Sequence, residues 1–129
     1  VTKDDHLQFN KINQINERSM IQIQEGIGEY NLGVEALGNK EYASAQTHLK
    51  NTEKRFKRGK ITADGMNFTR GNLAISYLAS GEKRGIGQAK RYLRYLTPKL
   101  YKTTRKWVYN MAVAHYAFAE GNKSKTIKK

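Results

Sequence analysis

The chain of 129 residues has no cysteine, a single proline and no long apolar segment. The absence of cysteine excludes disulfides, iron–sulfur clusters, thiolate zinc sites and thiol nucleophiles. No segment approaches the roughly 18 consecutive apolar residues of a membrane-spanning helix, so the sequence predicts no transmembrane segment. The chain starts at Val1 without a secretory signal, which suits both an exported protein lacking its signal peptide and a cytoplasmic protein. Localisation and oligomeric state therefore stay open.

Motifs for catalysis or cofactor binding are also missing. The sequence contains no Gly-x-Ser-x-Gly, no His-Glu-x-x-His and no phosphate-binding loop. The three histidines are isolated along the chain, and acidic residues are sparse after residue 41. We therefore predict a protein that is not an enzyme and that has no metal or cofactor site.

Charge is abundant but unevenly distributed. The net charge is +13, yet residues 1–38 hold three basic and six acidic residues, whereas the remainder holds 21 basic and five acidic residues. Such an asymmetry favours an anionic partner, such as nucleic acid, an acidic protein surface or lipid headgroups. A solvated surface without a partner is the alternative. A hydrophobic content of only 38% suits one elongated domain with much exposed surface.

Apolar residues recur at helical spacing along nearly the whole chain, which predicts an all-α protein. We expect Gly26-Ile27-Gly28 to break a first helix of residues 6–25 from a second that ends at Gly38-Asn39, with Gly38 in the left-handed cap position and Asn39 capping the next helix. We also expect a loop over 82–87, a helix start at Thr97-Pro98 and a helix end at Gly121. The predicted helices after Gly38 span 41–57, 63–79, 88–96 and 99–119.

Three similar blocks recur at spacings of 41 and 38 residues, each with Asn, a long apolar residue, a small residue and a β-branched residue. They are Asn31-Leu32-Gly33-Val34, Asn72-Leu73-Ala74-Ile75 and Asn110-Met111-Ala112-Val113. Small residues at these positions allow facing helices to approach closely, as stacked helix pairs require. On this basis Gly33→Ala should be tolerated, whereas Gly33→Leu should overpack a helix crossing.

Around these blocks the chain resembles the tetratricopeptide repeat family, whose unit is a pair of antiparallel helices. The first unit is matched by Tyr30-Asn31-Leu32-Gly33, Tyr42, Ala45 and Leu49. The second is matched by Leu73-Ala74, Tyr77, Gly81, Ala89, Leu93 and Pro98, and the third only by Tyr109-Asn110-Met111-Ala112. Both spacings exceed the family period of about 34 residues, so the resemblance is to about two and a half divergent units.

The resemblance implies a short α-solenoid with an N-terminal helix and a C-terminal capping helix. The expected organisation is a helical extension over 1–25, a repeat domain over 26–120 and a basic tail over 121–129. It also implies a concave groove for a partner peptide or helix, lined by the first helix of each unit. Carried over to this sequence, the groove residues are Ile27, Tyr30, Val34, Phe68, Ile75, Tyr109, Val113 and Tyr116. The alternative is a core of the same residues, covered by residues 6–25 of the chain itself.

A second candidate surface is strongly basic. Its residues fall in two clusters, over 50–60 and 83–106, with tyrosines and Trp107 interleaved in the second. The residues selected for an anionic partner are Lys54, Arg55, Lys57, Arg58, Arg84, Lys90, Arg91, Arg94, Arg105 and Lys106. Interleaved basic and aromatic side chains are typical of proteins that bind single-stranded nucleic acid. Tyrosines at the spacing of a buried helix face are likewise typical of simple helix packing. We therefore predict a non-enzymatic protein–protein interaction module, an adaptor or assembly factor, with nucleic-acid or other polyanion binding as the alternative.

Overall fold

A computed structural model describes the backbone of residues 3–100 and 106–128, and the side chains of 16–63, 65–96 and 110–121. This part of the chain is helical and contains no strand. Its elements are α1 (Lys3–Gly38), α2 (Tyr42–Arg58), a 3₁₀ turn (Asp64–Met66), α3 (Asn67–Ala79), α4 (Gly85–Leu100) and α5 (Lys106–Lys128). The all-α prediction is confirmed.

Helix α1 runs without interruption through Gly26-Ile27-Gly28, so the predicted break is wrong. Gly26 is buried against α2, and a β-carbon on it would lie 2.6 Å from the Phe56 ring. The residue therefore permits a close helix approach and does not end the helix. The expected boundary between an extension and a repeat domain, at residue 25, falls inside this one helix.

The crossing of α1 and α2 alternates glycine with large side chains. A β-carbon on Gly33 would lie 2.8 Å from Leu49 Cγ, and one on Gly59 would lie 2.7 Å from Ile23 Cγ1. Gly33 follows Gly26 by seven residues while Leu49 precedes Phe56 by seven, as expected for two antiparallel helices in a single register. Gly33 thus lies at a helix crossing as predicted. The contact with buried Leu49 leaves no space for an alanine β-carbon, so it argues against the expectation that Gly33→Ala is tolerated.

Helices α1 and α2 each end in a turn of the same type. After α1, the Lys40 amide donates to the Leu37 carbonyl and the Glu41 amide to the Ala36 carbonyl, which is a Schellman motif. Lys40, with φ of 62°, takes the left-handed position, so the expectation of Gly38 there is wrong. Asn39 does not cap α2 either, because Glu41 is its N-cap residue and makes no side-chain capping bond. Lys60 repeats this geometry after α2, with φ of 61°.

Helix α3 is the central element. It packs against α2, α4 and α5, and ten of its thirteen residues are buried. Leu73, Ala74 and Leu78 of this helix meet Leu49 of α2 and Leu96 of α4 in one hydrophobic core. Sequence order and packing order therefore largely coincide, since α1 packs on α2, α2 on α3 and α3 on α4.

The second half of the chain departs from the predicted boundaries. Helix α4 begins at Gly85, where a β-carbon would overlap the Tyr77 carbonyl of α3, so the predicted loop is shorter than expected. The same helix passes Thr97-Pro98 and ends at Leu100, so the predicted helix start at Thr97-Pro98 is wrong. Helix α5 continues through Gly121, which was expected to end it.

The small residues of the three repeated blocks, Gly33, Ala74 and Ala112, are all buried. The long apolar residues that precede them in the blocks differ in burial. Leu73 is fully buried in α3, whereas Met111, aligned with it in α5, is exposed. The blocks therefore share a buried small residue, but Leu32 of α1, which is 50% exposed, and Met111 of α5 do not share the burial of Leu73.

Candidate interaction surfaces

Helices α1 and α3 meet beside an open face. The Asn72 amide of α3 donates a hydrogen bond to the Tyr30 hydroxyl of α1 over 3.1 Å. Next to this contact, Ile27 and Val34 of α1 are 48% and 39% exposed. Two of the predicted groove residues thus lie at the surface, and a third, Tyr30, forms part of the link between the helices.

Ile27 and Val34 belong to a longer exposed row on α1 that also includes Met20, and we call these three residues the open stripe. Their seven-residue spacing places them on one helix face over about 21 Å. The neighbouring row of Ile23, Tyr30 and Leu37 is half-buried. Together the two rows form an apolar heptad pattern of which the packed protein covers only one half.

The remaining predicted groove residues are scattered. Phe68 of α3 is half-buried and Val113 of α5 is exposed. Ile75 is a core residue and lines no surface groove, which corrects the prediction for this position. Tyr116 packs against the core and donates a 2.7 Å hydrogen bond to the carboxylate of Glu120. Tyr109 lies outside the described side chains.

The hypothesis that residues 6–25 fold over the groove conflicts with the path of α1. Those residues form one continuous helix with Ile27 and Val34. A helix cannot fold back over its own face, and the open stripe is accordingly exposed. The stripe therefore has no cover from its own N-terminal segment.

The outward side of α2 carries only positive charge. Lys50, Lys54, Lys57 and Arg58 are exposed there, whereas Glu53, the one acidic residue of the helix, turns inward to Arg70 of α3. Arg55, which was predicted to join this surface, instead faces α1. Its guanidinium lies 2.7 Å from the Glu25 carboxylate and donates to Gln22 over 3.1 Å.

Helix α4 and the turn before it extend the positive surface. Its exposed cations are Lys83, Arg84, Lys90, Arg91 and Arg94, and the outward side of α4 up to residue 96 has no acidic residue. Lys90 lies 3.9 Å from Glu120 of α5. We call these five residues, with the four of α2, the basic face. The side chains of Arg105 and Lys106 lie outside the described residues.

Stacked tyrosines connect the two parts of the basic face. The rings of Tyr77 and Tyr92 are 6.1 Å apart and nearly parallel, with Lys50 over one and Arg91 over the other. Hydrogen bonding to Tyr77 raises the pKa of Lys50 despite partial burial and nearby Arg91, so Lys50 keeps its charge at neutral pH. Burial likewise raises the pKa of Tyr92. Tyr92 is therefore a packing residue, as the core-spacing interpretation predicted.

One polar arrangement was not anticipated from the sequence. Arg70 is only 4% exposed, donates a 3.0 Å hydrogen bond to Glu53, and lies 4.1 Å from the centre of the Tyr95 ring. It joins α2, α3 and α4 through one side chain. Its position among apolar residues of α3 was the available signal, but nothing near it in sequence identifies Glu53 as the partner.

Within the described residues, no group of three or more histidine or acidic side chains is placed to hold a metal ion. No helix in that part of the chain is long and apolar enough to cross a membrane. No protein-family model matches the chain, and the searches of curated proteins and of solved structures find no match either. The resemblance to tetratricopeptide repeats therefore depends on the quoted residues alone.

Proposed function

We propose that the protein is a non-enzymatic interaction module, an adaptor or assembly factor of the tetratricopeptide-repeat type, that binds a partner peptide or helix on the face shared by α1 and α3. The observation that carries the proposal is the open stripe of Met20, Ile27 and Val34, exposed at heptad spacing beside the Tyr30–Asn72 contact. Exposed apolar rows of this kind are typical of helices that lack a packing partner.

The composition of the open face suits a partner held mainly by apolar contact. Asn31 is exposed between Ile27 and Val34. On the side of α1 that carries the open stripe, no residue from Gln24 to Val34 is charged. A partner helix that places apolar residues every three to four positions would cover the stripe along its length. The half-buried Tyr30 would then lie at the edge of the contact.

The chain offers a matched control for testing this surface. Ile21 and Leu32 of α1 are 52% and 50% exposed, close to the values for Ile27 and Val34. They lie about 120–140° around the helix from Ile27, because each residue advances the helix by about 100°. Ile27→Ser/Val34→Ser and Ile21→Ser/Leu32→Ser thus make the same chemical change on two sides of one helix.

The test is affinity capture from a lysate of the source cells with the wild-type protein and both double variants, after circular dichroism shows that all three are equally folded. We expect partners captured by the wild type to be lost with Ile27→Ser/Val34→Ser and retained with Ile21→Ser/Leu32→Ser. Equal recovery with both variants, or loss only with the control pair, would refute the proposed surface.

A further inference from the structure

The basic face is separate from the surface proposed for the partner, and its positive charge has no role in that proposal. Lys54, Lys57, Arg58 and Arg84 are exposed, and none has a carboxylate within 4.0 Å in the described part of the chain. The carboxylates that might have neutralised α2 are bound elsewhere, Glu53 to Arg70 and Glu25 to Arg55. The charge of these four residues is therefore not paired with a carboxylate in the described part of the chain, whereas Lys90 of the basic face lies 3.9 Å from Glu120.

Lys50, Lys54 and Lys57 follow one another at i, i+4 and i+7, so they form a row along about 10 Å of α2. The stacked Tyr77 and Tyr92 link this row to Arg91 of α4. The two helices thus present cations side by side over a shared aromatic support, which favours an extended ligand with many negative charges over a single small anion.

The basic face lacks an apolar centre. Tyr95 is the one large hydrophobic residue that is exposed on α2 or α4 among the described side chains. Protein interfaces generally have aromatic and aliphatic residues at their centre, whereas interfaces with nucleic acids are more polar and strongly positive. Anchoring in a membrane surface also benefits from exposed apolar side chains beside the cations. The surface accordingly favours nucleic acid over an acidic protein or a lipid layer.

Single-stranded nucleic acid is bound typically by stacking its bases on exposed aromatic rings. Tyr77 and Tyr92 are buried and stacked on each other, and Arg70 covers one face of Tyr95. Tyr77 and Tyr92 are therefore occupied within the protein, and Tyr95, which is 52% exposed, remains as one ring open to solvent. What the surface offers a ligand is positive charge, which a duplex backbone matches because its phosphates are outside and its bases are paired.

We propose that the basic face binds the phosphate backbone of double-stranded nucleic acid without reading its sequence. The acidic helix α1 lies on the other side of α2, where Glu29 and Glu25 pair with His48 and Arg55. The duplex is thereby directed to the outward side of α2 and α4. The open stripe of α1 stays accessible, so this interaction is independent of the proposed partner site.

The experiment measures the affinity of the full chain for a fluorescein-labelled 20-base-pair DNA duplex of arbitrary sequence between 50 and 200 mM NaCl. If five or more phosphates are neutralised, the slope of log K against log salt is about −4.5 or steeper. The test variant is Lys54→Glu/Lys57→Glu. Its matched control is Arg18→Glu/Lys40→Glu, which changes the net charge equally at exposed positions outside the basic face.

We expect the test variant to lose affinity at least tenfold at 0.1 M salt and its slope to fall by about 2, because each lost phosphate contact changes the slope by about 0.9. The control should retain slope and affinity within about twofold. Duplexes of unrelated sequence should bind equally, and single strands of the same length no tighter. Lys54→Ala/Lys57→Ala, which suits a helix, replaces the test variant if charge reversal prevents folding.

Three outcomes would overturn the proposal. Equal losses in the test and control variants would show attraction by net charge alone. A clear preference for single strands would indicate base stacking. Binding to vesicles with 30% phosphatidylserine that depends on Lys54 and Lys57, without duplex binding at 0.1 M salt, would identify a lipid surface as the ligand.

Discussion

Two glycines on one helix should respond oppositely to the same substitution. Alanine is more favourable than glycine in a helix interior by about 1 kcal/mol. At Gly28 nothing lies within 4 Å of the added β-carbon, so Gly28→Ala should stabilise the protein by about 0.5–1 kcal/mol. At Gly33 the β-carbon would lie 2.8 Å from Leu49 Cγ and 2.9 Å from Leu49 Cδ2. Overpacking of this kind costs about 1–3 kcal/mol, so Gly33→Ala should be destabilising by about 1 kcal/mol.

Thermal unfolding followed by circular dichroism distinguishes the two variants. A difference of about 2 kcal/mol corresponds to about 8 °C in melting temperature for a chain of this size. A double-mutant cycle tests the cause, because Leu49→Ala removes the two clashing atoms at a cost of about 2–5 kcal/mol. In that background Gly33→Ala should become stabilising. If Gly33→Ala stabilises the wild type as much as Gly28→Ala, the argument for close packing at this crossing is refuted.

Three further predictions concern stability. Glu53→Gln leaves the buried Arg70 without its carboxylate and should lower the free energy of unfolding in urea by about 3 kcal/mol. Glu25→Gln, at a more exposed pair, should lower it by under about 1 kcal/mol. Equal decreases would contradict the different burial of the two pairs. Lys40→Gly should raise the free energy of unfolding by about 0.5–1 kcal/mol by relieving its left-handed conformation, and a lower value would argue against that geometry. Burial raises the pKa of Tyr92 above its ordinary 10.0, so stability should be full below pH 10 and fall as pH rises through the folded-state pKa. This decline should be shallower in Tyr92→Phe, and an unchanged profile would exclude Tyr92 as a cause.

The helical fold was predictable because apolar periodicity is a local property of the sequence. Burial of Gly33, Ala74 and Ala112 was predictable for the same reason, since each block repeats a small residue at one position. The continuity of α1 was not, because Gly26 has the local character of a helix breaker and its packing role depends on Phe56, thirty residues away. Long-range contacts of this kind decide whether a glycine ends a helix or allows two helices to approach.

The candidate surfaces likewise have features that follow from local sequence and features that depend on distant contacts. Positive charge on the outward side of α2 could be predicted by residue counting and helical spacing. The inward turn of Arg55 could not, since its partners Glu25 and Gln22 lie on another helix. Likewise, Val34 and Ile75 occupy the same position of two aligned blocks, and only the central position of α3 buries the second of them.

The central claim is that a partner binds along the open stripe. Its most direct test places the photocrosslinking residue benzoylphenylalanine at position 27 in one variant and at position 21 in another, followed by irradiation with the captured partner and mapping of the crosslinks by mass spectrometry. Both positions are similarly exposed on α1. The account predicts efficient crosslinking from position 27 and little from position 21. Crosslinking chiefly from position 21, or equally weak crosslinking from both, would contradict it.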